Sequence, residues 1–322
     1  MLLPEALNLA GRGHEFEQYL SFYKQANPGD KNLEVVEFER SKNLYFAGQY
    51  NQAIAALQQF LSSYPESARQ DEARFYLAES YFRQQQYNQA LPLYEHVQNN
   101  RAFPQAVRAS QRIAEIHFRE GRYEHAVAAY HRLERDATSK RDLYLAWSGL
   151  MESFYLLGQY DSVNVYAQHI MQRGNVNAGA VNKASLFIGK AAMARGDFET
   201  AKDEFLSALN TAGDEYGAEA KYRLAEIFYQ TKQHRQCYET LISLNNDFAA
   251  YEEWVGRSYL LLADNFLAMN DRFNAKATLQ SLVDKFPLAH IRDEARRKLN
   301  DLQQAEKLEK EKQLAADTTD NR

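Results

Sequence analysis

A motif that returns at nearly constant spacing constrains this chain more than any other feature. GQYNQA at 48, GRYEHA at 121, GQYDSV at 158 and GDFETA at 196 each place an aromatic two residues after Gly and a small residue three further on. Aligning on the small residue extends the series to Ala53, Ala90, Ala126, Val163, Ala201, Cys237 and Ala275, with spacings of 37, 36, 37, 38, 36 and 38 residues. Three positions earlier stand Tyr50, Tyr87, Tyr123, Tyr160, Phe198, His234 and Arg272. The aromatic therefore persists through five units and lapses in the last two, where Phe273 is expected to stand in for Arg272. A fixed period of this length describes one supersecondary unit stacked on copies of itself, without a single central core.

The residue types around the motif say what that unit is. Upstream of each aromatic lies a run with helix-face periodicity, such as DEARFYLAESYF, where Ala73, Leu77, Ala78 and Tyr81 share one side. QAVRASQRIAEIHF, LAWSGLMESFY, NKASLFIGKAAM, AKYRLAEIFY and GRSYLLLADNFL repeat the pattern. Each unit thus reads as helix A, a tight turn and helix B. Only 6 Pro and 14 Gly occur in 322 residues, which suits long helices with short connections. Ala78, Ala114, Gly189, Ala225 and Ala263 fall one turn before the end of helix A, where small side chains let two backbones approach to about 8–10 Å. Gly48, Gly121, Gly158 and Gly196 are placed to end helix A in a left-handed conformation. Asn88, Asp161 and Asp197 are expected to cap B helices, Pro65 and Pro287 to mark B-helix exits, and Ser67-x-x-Gln70 resembles a capping box.

The period alone also admits HEAT-like or pentatricopeptide arrays. The Gly-x-Tyr-x-x-Ala signature with its small residue upstream resembles the tetratricopeptide repeat (TPR), and the resemblance covers about residues 32 to 305. YPESARQDEARFYLAESYF is similar to the longer repeat variant of bacterial envelope proteins, including outer-membrane assembly lipoproteins and Tol–Pal-associated coordinators. The resemblance implies an all-α fold: a right-handed α-α superhelical solenoid of about seven TPR helix pairs with a long C-terminal capping helix. The expected layout is a degenerate helix pair over 1–30, the seven-unit array over 31–287, the capping helix over 288–314 and a disordered tail over 315–322. Beginning at Met1 inside a repeat-like pattern, the chain reads as the C-terminal piece of a longer array.

Composition narrows the function classes. The formal charge of −5 and pI near 6.0 give no long-range attraction to nucleic acid. A single cysteine, Cys237, excludes an intrachain disulfide and a cluster of thiolates; replacing the buried Ala of the repeat, it reads as an inert core residue. No run approaches the 18 apolar residues of a membrane span, and MLLPEALNLAGRG lacks the basic start of a signal peptide. His117, His125 and His131 form the densest histidine group, yet without metal-ligand spacing, and His117 falls on a packing position. No phosphate loop or nucleophile elbow occurs. The reading is therefore not an enzyme: no catalytic residues, no metal, no cofactor.

One surface constellation remains. The residue after the small position of helix A reads Lys42, Glu79, Glu115, Glu152, Lys190, Glu226 and Asp264, five of the seven acidic. In TPR proteins the A helices line the concave groove, so the resemblance places this acidic ladder near a ligand surface. The competing reading pairs the acids with Arg83, Arg112, Arg119 and Arg223. The candidate contact surface combines Glu79, Phe82, Arg83, Glu115, Phe118, Arg119, Glu152, Tyr155 and Tyr229. The basic carboxylate clamp of chaperone-binding TPR domains is not visible, and acids occupy places where that clamp needs Asn, which argues against an acidic C-terminal peptide.

The expected function is a non-catalytic scaffold that binds a protein or peptide segment in the concave groove. The alternative is a structural spacer, or the C-terminal fragment of a larger envelope assembly protein, that contacts partners through its ends or convex face. Repeat style leans toward the periplasm or envelope and leaves the cytoplasm open, as it does the oligomeric state.

Overall fold

The computed structural model describes residues 18, 21–23, 25–27, 32–173, 176, 178–209 and 213–320. The helix pair expected over 1–30 falls largely outside the described residues, as do positions 321–322. Among the described residues no strand occurs, and fifteen helices follow one another from Asn32. The first six are α1 (Asn32–Phe46), α2 (Tyr50–Ser63), α3 (Gln70–Arg83), α4 (Tyr87–Gln98), α5 (Ala106–Arg119) and α6 (Tyr123–Asp136). Next come α7 (Lys140–Leu156), α8 (Tyr160–Arg173), α9 (Ala178–Ala194), α10 (Phe198–Leu209) and α11 (Glu215–Gln230). The last four are α12 (His234–Asp247), α13 (Glu252–Ala268), α14 (Arg272–Lys285) and α15 (Ala289–Asp320).

The chain divides into two compact units after Ser153. In the first unit α1 to α5 each pack on the helix that follows, and α1 also touches α3. In the second unit α8 to α14 do the same, and the odd-numbered helices α9, α11, α13 and α15 touch in sequence. The odd-numbered helices are the A helices of the repeat. They meet past their intervening partners, in the first unit through α1 on α3 and through the Glu79 pairs with Arg108 and Arg112 between α3 and α5, so they form a face of their own within each unit.

The repeat motif maps onto two physical devices. Ala53, Ala90, Ala126, Val163, Ala201, Cys237 and Ala275 have no exposed surface at all. They sit where helix B crosses helix A, and a larger side chain there would hold the helices apart. Gly189 carries the same role from the opposite helix: a Cβ at that position would lie 2.5 Å from the Phe205 ring.

The second device is the A–B turn. Gly48, Gly121, Gly158 and Gly196 have φ between +72° and +79°, as expected. Gln85, Lys232 and Asn270 occupy the same place without glycine, at φ 59°, 60° and 61°. In all seven turns the left-handed residue bonds to the carbonyl three back and the next N–H bonds to the carbonyl five back, as in Gln85 to Phe82 (2.9 Å) and Gln86 to Tyr81 (2.9 Å). These bonds satisfy the last carbonyls of helix A. The turn is thus a property of the backbone path, and glycine is one way to meet it.

Several local expectations change. Asp197 accepts from the Thr200 N–H at 3.2 Å, and Asp214 and Asp271 cap α11 and α14 in the same manner. Asp161 instead pairs with Arg195 at 3.1 Å. Ser67-x-x-Gln70 does not form a capping box, because α3 begins only at Gln70. The Ser67 hydroxyl donates to Glu34 and accepts from the Arg69 N–H, while the Gln70 amide reaches back to Tyr64 O at 2.6 Å. Phe273 does not replace the repeat aromatic: it is 80% exposed. Arg272 stays at the aromatic position and pairs with Glu309 on α15. Ile291, Ala295 and Leu299 are the buried stripe of α15, packed with Leu279 and Leu282 of α14. The Lys298 and Asp264 pair, at 2.8 Å, fastens the same helix to α13.

Candidate functional site

The A-helix face of the first unit is organised by one buried carboxylate. Glu79, on α3, is fully buried. Its Oε1 accepts from Tyr94 Oη at 2.6 Å and Arg112 Nε at 2.8 Å, and its Oε2 accepts from Arg108 at 2.8 Å and Tyr45 Oη at 3.1 Å. Tyr45 comes from the preceding helix pair and the arginines from the following one. Burial alone pushes the Glu79 carboxyl up; hydrogen bonds from Arg112 and Tyr94, with the charges of both arginines, overcome it and hold the carboxyl below its ordinary value. Burial and the adjacent carboxylate push the Tyr94 hydroxyl well up, so Tyr94 remains a donor.

The nine residues singled out from the sequence separate on this framework. Arg112 also reaches Glu115 at 2.8 Å, and Arg119 reaches Glu115 at 2.6 Å. Both guanidiniums lie over the Phe82 ring, Arg112 at 4.3 Å and Arg119 at 5.7 Å. Glu79, Phe82, Glu115 and Arg119 are therefore brought together, with Glu79 and Phe82 buried and Arg119 exposed. Arg83 is exposed and shares a cavity wall with Tyr45. Phe118 packs edge-on to Tyr123, and Glu152 accepts from Ser148 at 3.1 Å.

In the second unit Tyr155 packs against Tyr160 and Phe187, with Lys190 Nζ 5.0 Å from its centroid. Tyr229 lines a cavity of about 280 Å³ with Tyr222, Glu226, Arg257, Asp264 and Lys298. The acidic ladder is thus largely spent internally. Glu226 is held by Arg223, Asp264 by Lys298, and Lys190 itself is held by Glu219. Ion pairing, rather than an open acidic field, is what these positions do.

Sequence reasoning missed a second group in the first unit. A cavity of about 340 Å³ is lined by Tyr45, Phe46, Tyr50, Phe75, Tyr76, Arg83, Gln105 and Arg108. Phe46 is 65% exposed, with its ring 5.2 Å from Tyr45 and 5.6 Å from Tyr76. A larger hollow of about 860 Å³ adjoins it through the shared Arg108 and is bordered by Arg101, Arg112 and Arg141. The signal was present in the repeat register: Phe46 stands where the next two units carry Arg83 and Arg119.

Two negative findings bound the chemistry. Among the described residues no group of three His, Cys, Asp or Glu is placed to hold a metal ion, and no helix is long and apolar enough to cross a membrane. His117 is buried against His125, and Cys237 is buried with its thiol pushed up to about 12 by burial alone. Neither is presented to a substrate.

A family model described as tetratricopeptide repeat matches residues 38–100 and 77–141, and a second of the same description matches 257–289. The helix pairs within residues 38–141 and the segment 257–289 thus match the tetratricopeptide repeat. No curated protein matches the sequence. Among solved structures, a tetratricopeptide repeat protein from Parabacteroides merdae aligns with a TM-score of 0.57 at 12% identity, covering 81% of this chain and 98% of that one. The C-terminal part of a TPR repeat-containing protein from Cytophaga hutchinsonii aligns at 0.58 and 15% identity, covering 80% and 98%. The apo form of RapI aligns at 0.51 and 14% identity, covering 83% and 99%. At these identities the likeness concerns the fold. The helix pairs here share the turn geometry and the small-residue crossing along the whole array.

Proposed function

We propose that the protein is a non-catalytic scaffold that binds a segment of a partner protein along the face formed by its A helices. The observation that carries this reading is a set of hollows along that face, including one of about 860 Å³. The cavities of about 860, 340 and 280 Å³ are each lined chiefly by A-helix residues and the loops leading into them. All three are open depressions with charged rims, and the two smaller ones have aromatic walls, a lining suited to side chains of a peptide. Hydrogen-bonded cages such as that around Glu79 hold the surrounding residues before any ligand arrives, which leaves most of the ordering cost with the ligand.

Of the residues chosen from the sequence, Arg83, Glu115, Phe118, Arg119, Glu152, Tyr155 and Tyr229 remain candidates for contact on this face. Glu79 and Phe82 would act by positioning the others. The alternative, a spacer that makes contact through its B helices, draws support from exposed Phe273 and Leu206 on α14 and α10 and from a hollow of about 420 Å³ lined mainly by α14. The narrower assignment to the bacterial envelope rests on repeat style alone.

Photo-crosslinking separates the two. A photoreactive phenylalanine analogue is placed at Phe46, Phe118 or Tyr229 on A helices, and at Leu206 or Phe273 on B helices. Partner adducts should form from the A-helix positions. Adducts formed only from Leu206 and Phe273 would overturn the reading in favour of the spacer.

A further inference from the structure

We infer that the A-helix face of the first unit takes an acidic internal peptide segment bearing an aromatic side chain. This rests on the proposed role of that face and names the chemistry of its ligand. The sequence pattern argued against an acidic C-terminal peptide, because acids occupy places where the carboxylate clamp needs Asn. The structure reverses the sign. Glu79 has no exposed surface and lies beneath Arg108 and Arg112, and Glu115 is engaged by Arg112 and Arg119. What remains facing outward is arginine.

The cations are arranged as a continuous lining. Arg83 and Arg108 border the smaller cavity, and Arg101, Arg108, Arg112 and Arg141 border the larger one. Asp136 and Asp142 are the acids on the larger cavity. Asp142 accepts at 2.7 Å from Ser139, whose hydroxyl caps α7, and Asp136 lies 3.6 Å from Arg132. Glu72, four residues before Tyr76 on α3, lies 3.7 Å from Lys42. A cationic face on a chain of net charge −5 is a local choice against the overall balance.

The aromatic half of the ligand follows from Phe46. Its exposed ring stands beside Tyr45 and Tyr76 over a hollow of about 340 Å³, large enough for one bulky side chain and open on one side. A Trp or Phe inserted there would bury apolar surface against three rings, while neighbouring carboxylates would meet Arg83 and Arg108 in bidentate geometry. No terminal carboxylate is required, so the segment is internal. Single-stranded nucleic acid shares the stacking and the negative charge, but the acidic background of the chain disfavours a polyanion extending beyond the patch.

The test is fluorescence anisotropy on the full chain with three labelled probes. The first is a peptide of Asp and Glu around one Trp, blocked at both ends; the second replaces every acid with Lys; the third is an oligothymidylate. The acidic peptide should bind, and binding should weaken with salt. Phe46→Ala, and separately Arg83→Gln with Arg141→Gln, should each weaken it about tenfold at unchanged helicity. Equal binding of both peptides, no binding of the acidic one, or variants without effect would overturn the inference, as would tighter binding of the oligothymidylate. Binding of the lysine peptide that is lost on Phe46→Ala overturns the charge assignment and leaves the face as a peptide site. Failure of both peptides overturns this ligand, while the crosslinking experiment decides the face itself.

Discussion

Arg112 Nε donates to Glu79 Oε1 at 2.8 Å across the boundary between two repeats, onto a carboxylate with no exposed surface. The pair explains why an acid that reads as part of a ligand surface contributes structure instead. A carboxylate removed from water is tolerable only with its lone pairs filled, and Tyr45, Tyr94, Arg108 and Arg112 fill them.

Glu79→Gln should therefore destabilise the first unit by about 3 kcal/mol near neutral pH, since both arginines lose their counter-charge. The effect should fade in acid. The unfolded glutamate titrates near 4.5, and the folded one lies lower, so the stabilisation is complete above 4.5 and is lost as pH falls through the folded value. Urea midpoints of parent and variant at about pH 7 and about pH 3 measure this. A gap between them that persists unchanged in acid would remove the ion pair as its cause.

The turns without glycine offer a gain. Gln85 and Lys232 hold left-handed backbone conformations that cost a side-chain-bearing residue about 1–2 kcal/mol, partly offset by the entropy that glycine loses on folding. Gln85→Gly and Lys232→Gly should each raise stability by about 0.5–1 kcal/mol. Asn270→Gly should do less, because asparagine tolerates this region. Gly121→Ala should lower stability by about 1 kcal/mol, all four read by thermal or chemical unfolding.

Gly189→Ala places a methyl group 2.5 Å from the Phe205 ring at the crossing of α9 and α10. Overpacking there should cost about 1–3 kcal/mol. Phe205→Leu in the same chain should recover part of the loss, because the ring is the obstruction. A double variant no more stable than Gly189→Ala would point to a different cause.

Cys237 is a built-in reporter for the second unit. Its thiol is fully buried and pushed up to about 12, so it should react with a thiol reagent only when α11 and α12 separate. Labelling should be slow in buffer and accelerate with denaturant in step with loss of helicity. Labelling at the rate of a free cysteine would contradict the packing described.

Much of the fold was legible because its determinants are periodic. Ala126 and its six equivalents are small for one geometric reason, repeated every 36–38 residues, and all are buried. Four of the seven turns announced themselves through glycine. The other three were hidden, because Gln85, Lys232 and Asn270 adopt the same conformation under constraint from the flanking helices. The surface was harder to read. Register placed Glu79 beside Glu115, but side-chain partners come from neighbouring repeats about 33 residues away, and the same register position is buried in one repeat and half-buried in the next. Phe46 escaped notice since its equivalents in the next two units are arginines, and Phe273 was assigned inward where it points out. The envelope-type resemblance concerned repeat style; the solved structures, at 12–15% identity, speak only to the fold.

Arrays of nearest-neighbour modules ordinarily melt from an end, one module at a time. The Glu79 cage joins three consecutive modules through Tyr45, Tyr94 and Arg112, so the stretch from 45 to 112 has no cheap place to begin coming apart. Fraying that enters from either side halts at this rivet, and the first unit behaves there as a single cooperative block.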